Sequence, residues 1–198
     1  GTLDTPGVAY GIAVIGTTAY LADENFGIQI IDVSNPQRPE INGSIRITGL
    51  SKKLSIIDHI AYVATSDSGL AIIDVSNPEN PIAIGFVDTP GYAWDVFADE
   101  TKGFVCIADG EFGIQFIDIR SIQKMNLIYE NTPGYTWDIS IKDNIAYIAG
   151  DSYGLQLIDI SVPKNPNFIG SFPTNLGDLQ SYAKDIVVIE NTVYLSDV

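Results

Sequence analysis

The 198-residue chain carries 25 acidic against 10 basic side chains, and a formal net charge of −15 argues against a surface built to hold phosphate backbones, so nucleic acid is not an expected partner. With 45% apolar residues, ten Tyr, eight Phe and two Trp, it has ample material for a packed core and is no disordered composition. Cys106 is the single cysteine, which excludes an intramolecular disulfide and a thiolate metal cluster, and no apolar run approaches the roughly 20 residues that span a bilayer.

In chain order, the first elements are four short runs rich in β-branched and aromatic residues and bounded by Gly, Pro, Asn and Asp. Strand a is expected over Gly11 to Ile15, strand b over Ala19 to Ala22, strand c over Ile28 to Val33 and strand d over Glu40 to Ile47. The same set then recurs. Gly27-Ile-Gln-Ile-Ile-Asp32, Gly69-Leu-Ala-Ile-Ile-Asp74, Gly113-Ile-Gln-Phe-Ile-Asp118 and Gly154-Leu-Gln-Leu-Ile-Asp159 place their aspartates 42, 44 and 41 residues apart. Strand b recurs in phase as Ala19-Tyr-Leu-Ala, Ala61-Tyr-Val-Ala, Val105-Cys-Ile-Ala, Ala146-Tyr-Ile-Ala and Val193-Tyr-Leu-Ser, and Thr5-Pro-Gly7, Thr89-Pro-Gly91 and Thr132-Pro-Gly134 form a third marker. A period of about 42 residues with four strands per unit is the pattern of a β-propeller blade.

The fold expected is therefore all-β: a single propeller of four-stranded antiparallel blades at 5–47, 48–87, 88–130 and 131–172, with a partial fifth at 173–198. The chain starts at the end of a strand d and stops within a strand b, so it is expected to be part of a longer array, or to have its open edges covered by neighbouring copies. A closed native ring is expected to hold about six to eight blades, with five as the alternative.

Residues 69–81, Gly-Leu-Ala-Ile-Ile-Asp-Val-Ser-Asn-Pro-Glu-Asn-Pro, resemble the LVIVD repeat of bacterial and archaeal surface-associated β-propeller proteins, and the likeness runs through essentially the whole chain. It implies an extracellular or cell-surface setting and no defined activity. The third unit departs from it, with Arg120-Ser121-Ile122 in place of Ser-Asn-Pro.

The recurring aspartates after strand c read as Asx-turn acceptors, with Pro36, Pro78 and Pro163 presetting φ and Pro39, Pro81 and Pro166 opening strand d. Candidate ligand residues lie instead at the start of strand a: Tyr10, Lys52, Tyr92, Trp94, Asp95, Tyr135, Trp137 and Asp138. In a propeller this strand lines the central channel, so these residues are expected to rim its mouth. Two readings of the rings stand side by side. They form a stacking platform for a sugar or peptide, with Asp and Lys adding polar contacts, or they wedge between neighbouring blades while the aspartates cap the loop.

No cofactor is expected. Calcium is the one metal the acids suggest, either at the b–c turns around Asp23, Asp67, Asp109 and Asp151 or in a ring of Asp95, Asp138 and Asp185, yet no turn has the alternating acids of a self-contained loop site. His59, the sole histidine, reads as a solvated turn residue and Cys106 as a small buried hydrophobe. Asn42-Gly-Ser44 matches a glycosylation acceptor, a pattern common by chance. The expected function is a non-catalytic exterior module for adhesion, matrix or surface assembly, or capture of a protein or carbohydrate. The alternatives are a lyase or glycosidase using carboxylates on the channel face, and a homomeric filament or lattice whose copies complete the partial blade.

Overall fold

The computed structural model describes residues 1–120, 127–130, 132, 134–174 and 182–197. Ser121 and Ile122 of the third-unit departure, and Pro133 of the third Thr-Pro-Gly marker, lie outside them. The chain divides into two compact units, Gly1–Thr89 and Pro90–Val198. The first holds the sheets β1 (Ile12–Ile15), β2 (Thr18–Ala22), β3 (Ile28–Asp32), β4 (Glu40–Ile45) and β5 (Leu54–Ile57), β6 (Ile60–Ala64), β7 (Leu70–Asp74), β8 (Ile82–Val87). The second holds β9 (Asp95–Asp99), β10 (Phe104–Ala108), β11 (Ile114–Asp118), β12 (Leu127–Glu130), then β13 (Asp138–Lys142), β14 (Ile145–Ala149), β15 (Leu155–Asp159), β16 (Asn167–Phe172), and a two-stranded sheet of β17 (Ala183–Ile189) and β18 (Thr192–Asp197). Each four-stranded sheet is an antiparallel meander in chain order.

Turn chemistry explains why these short runs fold back. Asp58 and His59 both hold positive φ, 48° and 77°, between the paired ends Ile57 and Ile60, the backbone of a two-residue hairpin that follows strand twist. At the c–d corners Asp32, Asp74, Asp118 and Asp159 accept the N–H two residues on at 2.8, 2.9, 3.1 and 2.8 Å, as the Asx reading requires. These bonds hold all four carboxyls below the usual range; at Asp118 the Arg120 side chain is the largest cause and takes it to about 2. Strand ends differ from expectation by one or two residues, with strand d stopping at Ile45, where ladder pairing ceases.

Within each unit the sheets stack face to face. Ile28 and Ile30 of one sheet meet Leu54, Val63 and Ile73 of the next, Phe116 and Cys106 meet Ile139, Ile148 and Ile158, and Ala149 meets Ala183 and Ile186. The central strands are buried on both faces, as in β7, whose Leu70 to Ile73 are all 0% exposed. A fully buried side chain of this size contributes about 1.5–3 kcal/mol, so most of each unit's stability resides in these interfaces.

Strand d carries a feature the strand pattern did not announce. Its pairing with strand c slips by one residue opposite Ile30/Ile31, Ile72/Ile73 and Leu157/Ile158, leaving Asn42, Ile84 and Ile169 as bulge residues, each followed by glycine. Asn42 of the glycosylation pattern is thus an exposed bulge residue. Gly43 also lets the next repeat approach, since a Cβ there would collide with the Pro78 carbonyl, whereas at Gly170 a Cβ would meet nothing within 4 Å. Gly43→Ala should therefore cost about 1–3 kcal/mol in urea unfolding, and Gly170→Ala should be neutral or stabilising by up to about 1 kcal/mol. Equal effects at the two sites would contradict this account of sheet stacking.

Candidate functional site

The d–a and b–c connections of a meander emerge at the same end of its sheet, and the sequence candidates gather there. At the b–c turn one residue per repeat takes the left-handed conformation: Glu24, Ser66, Gly110 and Asp151, at φ 45°, 59°, 59° and 51°. That geometry aims its carbonyl at the following repeat, so Ser51 N–H donates to Glu24 O at 3.1 Å, Thr136 N–H to Gly110 O at 3.0 Å and Ala183 N–H to Asp151 O at 3.1 Å. Left-handed backbone at Glu24 and Asp151 is strain that the stitching between repeats offsets.

Above these bridges the strand-a candidates form stacks. In the first unit Lys52 Nζ lies 3.8 Å from the Tyr10 ring centre and 3.5 Å from Glu24 Oε1. In the second, Trp94 and Trp137 lie 4.8 Å apart, Tyr135 and Trp137 4.5 Å apart, and Lys184 Nζ sits 3.4 Å from the Trp137 ring centre. Trp137 is therefore held between Trp94 of the preceding repeat and Lys184 of the following one. Trp94 Nε1 donates to Tyr135 Oη at 2.7 Å and Trp137 Nε1 to Asp151 Oδ1 at 3.1 Å, and Lys184 pairs with Asp151 at 3.3 Å. Burial raises the Tyr135 phenol above its ordinary range, against the lowering effect of the Trp94 bond.

The aspartates of the candidate set point elsewhere. Asp95 and Asp138 are the first residues of β9 and β13, and this turns their carboxylates inward, where they are 6% and 3% exposed. Asp95 Oδ2 accepts the Ile139 N–H at 2.9 Å and Asp138 Oδ2 the Ile186 N–H at 2.7 Å, so each ties its strand a to that of the next repeat. Of the acids expected to ring this position, Asp95 and Asp138 are instead buried cross-links, while Asp185 is exposed. Lys52 is buried too, at 5% exposure, while Tyr10 and Tyr92 stand 52% and 51% exposed.

Of the turn acids considered for calcium, Asp23, Asp109 and Asp151 are similarly engaged. Asp23 accepts Thr5 Oγ1 at 2.9 Å and Gly7 N–H at 3.1 Å, and Asp109 accepts Gly91 N–H at 3.0 Å, which clasps the Thr-Pro-Gly loops and explains that marker. Among the described residues no group of three or more His, Cys, Asp or Glu is placed to hold a metal ion. Burial, with Asp95 adding, pushes the Cys106 thiol well up, away from thiolate reactivity.

Two rings outside the candidate set also reach solvent. Phe112 and Tyr153 of the b–c turns are 41% and 46% exposed. Each turn ring lies over the glycine of a Thr-Pro-Gly loop: a Cβ on Gly91 would come 3.0 Å from Phe112, and one on Gly134 2.5 Å from Tyr153. The signal was present in the sequence, as an aromatic before the Gly of the turn in Phe26, Phe112 and Tyr153.

The LVIVD repeat model matches residues 6–46, 48–89, 90–129 and 133–174, in phase with the sheets just described. The chain belongs to the LVIVD-repeat family. Among solved structures, the crystal structure of the computationally designed Ika4 protein is similar at a TM-score of 0.62 with 13% identity, covering 80% of this chain and 94% of that one. The computationally designed Ika8 protein is similar at 0.62 with 9% identity, covering 94% and 67%. At such identities the likeness concerns the fold alone. No curated protein matches the sequence.

The family assignment leaves the role of the strand-a residues to the geometry, in which Trp94, Asp95, Tyr135, Trp137 and Asp138 make contacts between repeats while Tyr10 and Tyr92 stay exposed. Asp138→Ala removes a buried acceptor from Ile186 N–H and should cost about 1–3 kcal/mol in urea unfolding. Trp137→Ala, which empties the centre of the stack, should cost at least about 2 kcal/mol. Losses below about 0.5 kcal/mol in both, the range of ordinary surface substitutions, would contradict a packing role.

Proposed function

We propose that the stacked sheets are blades of a β-propeller and that the protein is a non-catalytic module of the cell exterior or surface, which captures a protein or carbohydrate on the loop side of its second unit. The observation that carries the reading is the exposure of Tyr92, Phe112 and Tyr153, the last two seated against loop glycines. A ring already seated against backbone loses little freedom when a partner stacks on it, which is how recognition surfaces gain affinity from Tyr and Phe. Glu111 and Asp151 beside these rings favour a neutral or basic partner over an anionic one, in keeping with the net charge of −15.

The polar groups that acid–base catalysis would need support the binding reading instead. Asp23, Asp95, Asp109 and Asp138 each accept backbone N–H groups, and the carboxyls with lowered pKa lie at the c–d corners, at the other end of the sheets. The exterior setting is supported by the LVIVD family resemblance.

Glycan and basic-peptide arrays probed with the protein test the proposal. The wild-type chain is expected to be retained on a defined set of spots, and the Tyr92→Ala, Phe112→Ala, Tyr153→Ala triple variant to lose at least about tenfold in affinity with an unchanged unfolding midpoint. Absence of retention on both arrays, or equal binding by the triple variant, would overturn it.

A further inference from the structure

At the opposite end of the second unit, the third repeat departs from its neighbours in a way the turn does not require. Arg120 stands where the other repeats have Ser34, Ser76 and Ser161, and its N–H makes the same Asx bond as theirs. The side chain is therefore surplus to the corner. Its stem packs over Gly103, which holds φ +69° and leaves the room, and its guanidinium forks onto Asp118 through Nε at 2.8 Å and through Nη2.

This places Arg120 at a cavity of about 240 Å³ with Lys102 and Lys164 on its edge and Phe104, Val162 and Pro163 in its wall. Three of the chain's ten cations thus border one hollow of an acidic protein. Asp118 is the acid in the lining, and Asp99 lies behind Lys102 at 3.9 Å. Lys102 is anchored by donating to the Asp143 carbonyl at 2.9 Å, and Lys164, with its side chain 67% exposed, lies 3.8 Å from Asp118. A guanidinium has five donors and an ammonium three, so the fork onto Asp118 leaves donors on both Arg120 and Lys164 for a second oxyanion. The volume suits one ring, since a dry protein cavity of about 150 Å³ already admits benzene.

We propose that this cavity binds a small organic carboxylate with an apolar body, its carboxylate bridging Arg120 and Lys164 and its ring or chain lying against Phe104, Val162 and Pro163. The site is separate from the loop-side rings and does not depend on the function proposed for them.

Benzoate and benzyl alcohol, alike in shape and different in charge, are the probes for an NMR titration of the 15N-labelled protein. Benzoate should shift the amides of 102–104, 118–120 and 161–164 with saturation in the millimolar range, and benzyl alcohol should bind at least about tenfold more weakly, the margin a charge-assisted bond supplies. Arg120→Ser, which restores the residue of the other repeats, and Lys164→Gln, at an exposed position, should each weaken benzoate severalfold and leave benzyl alcohol unchanged. Benzoate shifts that fail to saturate below about 100 mM, far weaker than the millimolar site expected, would overturn the proposal. Equal binding of the two probes, or wild-type benzoate affinity in both variants, would overturn it as well.

Discussion

A four-stranded sheet whose two central strands are apolar on both sides has two faces to cover, and among the described residues there is no helix to cover them. In this chain the next repeat does the covering within each unit, and most of the local design follows from that requirement. Ile28 and Ile30 need Leu54, Val63 and Ile73, and Phe116 needs Ile148 and Ile158. Burial without direction would let the sheets slide, and polar links supply the direction: the carbonyls of Glu24, Gly110 and Asp151 and the carboxylates of Asp95 and Asp138 each receive an N–H from the following repeat. Nonspecific apolar area thus provides the energy and a few buried hydrogen bonds provide the register.

This division of labour decides which residues remain for function. Acids at the turns and strand starts hold loops and neighbouring strands, and the two indoles fill the stack between Lys184 and Tyr135. Among the groups left facing solvent are rings at the loop side and cations at the c–d side of the second unit. The two ends of the sheets therefore offer different chemistries, one aromatic and acidic, the other apolar with a cationic border.

Much of the fold was legible because the repeat presents the same strand four times, so that chance apolar runs are averaged out. The Asx corners were equally legible, since an Asp two residues before Ser in every intact copy has one simple turn role. The direction of Asp95 and Asp138 was not, because whether such a residue ends a loop or begins a strand changes which way its side chain points, and local pattern does not fix that boundary. The bulges left only the glycines Gly43, Gly85 and Gly170 as a trace. At Gly43 the reason is the approach of Pro78 from the next repeat, which is a tertiary contact, whereas among the described residues nothing approaches Gly170. Likewise the tryptophans were visible as a pair, but their satisfaction by Tyr135 and Asp151 depends on residues 41 and 14 positions away.

The central claim is that a sheet's order depends on the face of the repeat beside it. Hydrogen exchange measured by mass spectrometry on the Phe116→Ala variant tests it most directly, because Phe116 is 0% exposed and belongs to the third repeat while packing on the fourth. The account predicts that amides of β14 and β15 lose protection together with those of β10 and β11. Loss confined to the third repeat's own strands, with β14 and β15 protected as in the parent protein, would contradict it.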